Sequence, residues 1–116
     1  MTPHPQPAVT RDLVVAVSPF EEPHPAVVTA AERAGALGLL DLGRDADAAR
    51  RGFAELGRRL GGGARYGVRV PAGCPLGPGE LPAAVDTVLL ADPAAYTPER
   101  VAAWAAAAGR PRVWAE

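Results

Sequence analysis

Leu37-Gly-Leu-Leu-Asp-Leu42 is a short apolar run that stops at Gly43, and Tyr66-Gly-Val-Arg-Val70 is a second one that starts after Gly61-Gly62-Gly63. Between them Ala49, Phe53, Leu56 and Leu60 recur at steps of four, three and four, with Arg50, Arg51, Glu55, Arg58 and Arg59 in the intervals. That spacing gathers the apolar side chains on one face of a helix. Asp45 supplies its N-cap, and the glycine triplet stops it. Strand, amphipathic helix, strand predicts two parallel neighbours joined by a crossover helix.

The same alternation extends outward. Upstream, Leu13-Val-Val-Ala-Val17 reads as a strand that Ser18-Pro-Phe-Glu-Glu-Pro-His-Pro25 breaks. Pro25 suits a first helical turn, where the missing N–H costs nothing. A helix is expected over residues 25–36 with Val27, Val28 and Ala31 inward, and Gly35 and Gly38 mark the return to strand two. Downstream, residues 71–82 are too rich in Pro and Gly to hold more than one helical turn. Thr87-Val-Leu-Leu-Ala91 is strand four. Thr97-Pro98-Glu99 then opens a helix to Ala108 with Val101, Trp104, Ala105 and Ala108 on one face. Gly109 and Pro111 lead into strand five, Arg112-Val-Trp-Ala115.

The expectation is one α/β domain over residues 13–116, preceded by a disordered leader at residues 1–12. Two layouts fit: the first half, about five strands, of a TIM-barrel-like β/α repeat, or a five-stranded open doubly wound sheet. A last strand without a covering helix favours the first, as part of something larger. In the barrel layout strands one and five are unprotected edges, so self-association or pairing with a complementary half-barrel is expected. A charge at Val15 is expected to destabilise the chain through lost core burial.

Twelve basic side chains stand against thirteen acidic ones, for a net charge of -1, and the arginines are interleaved with acids. No field for nucleic acid results. Arg, Asp and Glu interrupt every apolar run before the roughly 20 residues a membrane helix needs. The single Cys74 cannot close an internal disulfide. A cytoplasmic protein without a membrane partner is expected.

Some chemistries fail on residue identity. A receiver-type phosphoacceptor needs an acidic pair after strand one, an aspartate after strand three and a lysine after strand five; Ser18-Pro19-Phe20, Arg69-Val70-Pro71 and Glu116 stand there instead. The first strand-to-helix turn lacks the glycines of a dinucleotide fingerprint. Gly61-Gly62-Gly63 follows a helix, the wrong order for a phosphate cradle. Gly43-Arg44-Asp45 has the right order, but Asp41, Asp45 and Asp47 would repel an anion. Cys74 has no base near it in sequence, and His4 and His24 lack ligand spacing, so no catalytic or metal residue is nominated.

The stretch Ala30-Ala-Glu-Arg-Ala-Gly-Ala-Leu-Gly-Leu-Leu-Asp-Leu-Gly43 resembles the helix-one to strand-two passage of the nitronate monooxygenases, also called 2-nitropropane dioxygenases. Val15-Ala-Val-Ser-Pro-Phe20 and Val68-Arg-Val-Pro-Ala-Gly-Cys-Pro-Leu76 look more specifically like the nitronate-monooxygenase-like barrel near the N-terminus of bacterial modular polyketide synthases. The similarity runs over nearly the whole chain after the leader. It implies an FMN-dependent oxidoreductase barrel of which this chain is an N-terminal fragment. The family's catalytic histidine and most of its FMN phosphate loop lie beyond strand five. Its Pro-Met turn after strand one is replaced here by Ser18-Pro-Phe-Glu-Glu-Pro23. FMN therefore belongs to the complete family barrel, and neither bound flavin nor catalysis is expected of this chain alone. The alternative is a self-contained, non-catalytic α/β interaction or docking domain.

In a β/α barrel the C-terminal ends of the strands line the site. That rule nominates Ser18, Asp41, Arg69, Asp92 and Glu116 as cofactor-pocket residues, with residues 71–74 beside them. Against it stands ordinary capping, turn formation and ion pairing, since Asp before Gly or Pro is a common turn residue.

Overall fold

The computed structural model describes residues 15–116. The expected leader and the first two residues of the expected first strand lie outside them. In chain order the main elements are β1 (Val15–Val17), α1 (Pro25–Arg33), β2 (Leu37–Asp41), α2 (Ala46–Leu60), β3 (Tyr66–Val70), β4 (Val85–Leu90), α3 (Pro98–Ala105) and β5 (Arg112–Ala115). The five strands form one sheet in the order β1-β2-β3-β4-β5, and every neighbouring pair is parallel. The order has no reversal of the kind that creates a switch point in a doubly wound sheet.

Register and period-two alternation sort the side chains between two faces. On one face Leu40, Val68, Val70, Val88 and Leu90 join Val28, Ala49, Leu56 and Trp104 in a single core, so all three helices pack on this side. Gly38 faces the same way: a Cβ there would stand 2.8 Å from the Val28 carbonyl oxygen, and its absence seats α1 against β2.

The opposite face carries Val17, Leu39, Gly67, Thr87 and Arg112 along one register row. Its centre is closed, because Leu39 lies over Gly67 where a Cβ would collide with it, and Thr87 is fully buried. Its β1 margin is open, with Val15 43% and Val17 37% exposed. Val15 is thus only partly covered and lies outside the core cluster, a more marginal position than the sequence suggests.

Helix α2 matches its reading: Asp45 Oδ1 accepts the N–H groups of Asp47 and Ala48 at 2.9 and 3.2 Å. Helix α1 stops at Arg33, short of the expected 36. Gly35 takes φ 82, while Gly35 and Ala36 donate back to the carbonyls of Glu32 and Ala31 at 3.1 and 2.9 Å. That double bond pattern is a Schellman stop. Helix α3 is also shorter than expected, ending at Ala105. The turn after it sends Ala107 into the core and leaves Ala105 and Ala108 exposed. Between β3 and β4 the chain makes only the 3₁₀ turn Pro78–Glu80, and Leu76 and Leu81 from this loop fill the core where a crossover helix would have packed.

Two glycines separate packing from propensity. Gly67→Ala must displace Leu39 or part the strands, and an overpacked site of this kind costs about 1–3 kcal/mol. Gly57→Ala on α2 meets nothing within 4 Å and should gain up to about 1 kcal/mol. Urea unfolding midpoints moving down for the first and up for the second are the expected outcome.

Candidate functional site

The C-terminal ends of β1, β2, β3 and β5 meet in one polar network built around Arg69. Asp41 and Arg69 are register partners on adjacent strands, so both side chains leave the same face. Arg69 Nη1 donates to Asp41 Oδ2 at 2.7 Å. Its Nε and Nη2 donate to the two carboxylate oxygens of Glu116 at 2.9 and 3.2 Å, spanning β4 to reach the end of β5. Nη1 also donates to Glu21 Oε1 at 3.3 Å.

Beneath the guanidinium the network is buried. Asp41 is 1% exposed, and its Oδ1 accepts the N–H of Gly43 at 2.9 Å. Ser18 Oγ accepts the N–H of Asp41 at 2.7 Å, while the Ser18 N–H donates to the Leu39 carbonyl at 3.1 Å. The Ser18 hydroxyl thus clips the end of β1 to the end of β2.

Four of the five residues nominated from sequence, Ser18, Asp41, Arg69 and Glu116, are therefore brought together. Asp92 is not: it is exposed, and its backbone carbonyl accepts the N–H of Ala95 at 2.9 Å in the turn after β4. Glu21 and Arg44 belong to the rim but were not nominated; their ion pair is 3.6 Å long. Glu21 arrives through a turn in which Phe20 and Glu21 both take left-handed φ, 63° and 49°, a conformation that non-glycine residues adopt at a cost. A Ser-Pro-Phe-Glu string carries no signal for such a turn, because only Gly, Asn or Asp would advertise it.

Electrostatically the site is a guanidinium enclosed by acids. The hydrogen bond to Glu116 is the main reason the Arg69 pKa is raised, with Asp41 and Glu21 adding to it and burial opposing. In return that bond holds the Glu116 carboxyl below the ordinary glutamate range. Asp41, Glu21 and Glu116 outnumber Arg69 and Arg44 by one.

This donor set does not fit a flavin phosphate. Nε, Nη1 and Nη2 of Arg69 already serve carboxylates, and a dianion would enter a net acidic rim. No group of three or more metal-ligating side chains is found among the described residues. Burial pushes the Cys74 thiol up, away from the thiolate that a nucleophile needs. What the arrangement does chemically is tie four strand ends together. No protein-family model matches the chain, and the searches of curated proteins and of solved structures find no significant match.

Removing the buried acid should cost more than removing the exposed one. Asp41→Ala orphans the Gly43 N–H and one face of Arg69, for a loss of about 2–3 kcal/mol. Glu116, 46% exposed in its side chain, should cost under about 1 kcal/mol as Glu116→Gln. Because the folded Glu116 pKa is depressed, its stabilisation is full above the ordinary value of 4.5 and disappears as pH falls through the lower folded value. Chemical denaturation at stepped pH should show Glu116→Gln converging on the parent stability in acid.

Proposed function

We propose that this chain is the first five-strand arc of a nitronate-monooxygenase-like β/α barrel of the polyketide-synthase type. It supplies scaffold rather than chemistry, and the outer edge of β1 is its seam with a complementary half-barrel or a second copy. One observation carries the proposal. The large hydrophobic side chains exposed among the described residues, Val15, Val17 and Phe20, all lie on β1 and the turn that follows it.

Strand β1 pairs only with β2 among the described residues. Its other edge carries backbone groups that no described strand pairs, beside apolar side chains, the combination that invites strand addition. The one-way strand order with helices on a single face is the arrangement of consecutive barrel strands. Barrel closure would pair β1 with the last strand and bury Val15 and Val17 in the interior. The acid-saturated rim supports a scaffold rather than a flavin-binding role for this arc, and the flavin of a complete barrel would be held by its other half.

Sedimentation of the purified chain at roughly tens of micromolar should show a dimer or larger species. Val15→Asp and Val17→Lys should return it to a folded monomer, since both side chains sit at the open β1 margin outside the core cluster. No flavin absorbance and no nitronate oxidation are expected. A cooperatively folded monomer, or copurified stoichiometric FMN, would overturn the reading.

A further inference from the structure

The outer surface of the helix layer holds a second feature, independent of the barrel rim. A groove of about 400 Å³ runs between the loop entering α1 and the exposed side of α2, walled by Pro23, Pro25 and Gly52 and flanked by Arg51, Glu55 and Arg58. Gly52 makes the close approach possible: a Cβ there would stand 3.3 Å from the Pro23 ring and 3.2 Å from Leu40. The two prolines give the wall a fixed shape, so little ordering remains to be done when the groove is filled.

The arginines of α2 divide into two kinds. Arg50 donates to Glu80 at 2.8 Å and to Asp47 at 3.2 Å, and Arg59 donates to Glu55 at 3.3 Å. Arg51 and Arg58 are exposed, and neither has an ion pair or hydrogen bond among the described residues. They stand seven positions apart, hence on the same side of the helix and about 10 Å apart along its axis. Both flank the groove. Glu55 lies between them but is already engaged by Arg59.

We propose that this groove receives an acidic protein segment with two carboxylates about 10 Å apart and no acid between them. The outer carboxylates meet Arg51 and Arg58, each capable of the paired N–H donation that suits a carboxylate. Glu55 repels an acid placed midway, which sets the pattern recognised rather than total charge. On a helical partner the spacing is two glutamates seven residues apart.

Fluorescence anisotropy of the full chain with a labelled helical peptide bearing such a glutamate pair tests this. Binding at low salt, weakened at least tenfold in the double variant Arg51→Gln/Arg58→Gln and unchanged in Arg110→Gln, is the expected result. Arg110 is exposed and likewise has no ion pair or hydrogen bond from its side chain among the described residues, so its variant shows what the loss of one exposed positive charge does by itself. A third glutamate midway in the peptide should weaken binding further. Thermal unfolding of the double variant should match the parent, since neither arginine has a partner to lose. Failure of the parent to bind, equal loss in the Arg110 variant, or indifference to the middle glutamate would each overturn the proposal. So would binding of inorganic pyrophosphate through both arginines in the absence of peptide binding, which would mark a small-anion site.

Discussion

Each parallel strand must be re-entered from the same end, so the chain has to cross the sheet between strands, and it crosses with one hand. When successive strands are also laid down in one direction, that handedness sends every crossover to the same side. The helices and the long loop between β3 and β4 consequently share one face, and the core gathers there. The other face has to be filled by its own side chains. It manages this in the middle, where Leu39 covers Gly67, and fails at β1.

The rim shows how a cluster of reactive-looking side chains can be consumed by structure. An arginine emerging between an aspartate and a strand end could in principle greet a ligand. Here each nitrogen of the fork is spoken for, and the acid beneath it is itself held by the backbone N–H of Gly43. Such a network specifies how strand ends align, because a one-residue slip in β3 would turn Arg69 to the helical face and bury a charge without partners.

Much of this was legible in the sequence where local signals and burial agree. The apolar spacing of α2, its aspartate cap and its glycine stop all point the same way, and the helix starts and ends where they say. Four rim residues were legible because strand ends follow from the strands themselves. Asp92 was misplaced because a strand end shows where a side chain starts and not where it turns, and the turn after β4 leads it to solvent. Helix α3 was overread because its alanines carry helix propensity as far as the stop that Gly109 offers, while the close approach of Gly109 to the carbonyls of Ala83 and Val85 fixes the exit. Glu21 was invisible because its position depends on a left-handed turn spelled with ordinary residues.

That turn has a neighbour it cannot ignore. Gly43, at φ 63, sits so close to the Glu21 carbonyl that a Cβ on it would approach to 2.8 Å. The loop after β1 and the loop after β2 are therefore interlocked, although more than twenty positions separate them in the chain. Any side chain at position 43 would have to be answered by a rearrangement at 20 and 21, and a relaxed turn at 20 and 21 would make room at 43. In genetic terms the two loops form one locus, where substitutions harmful singly can be tolerated together.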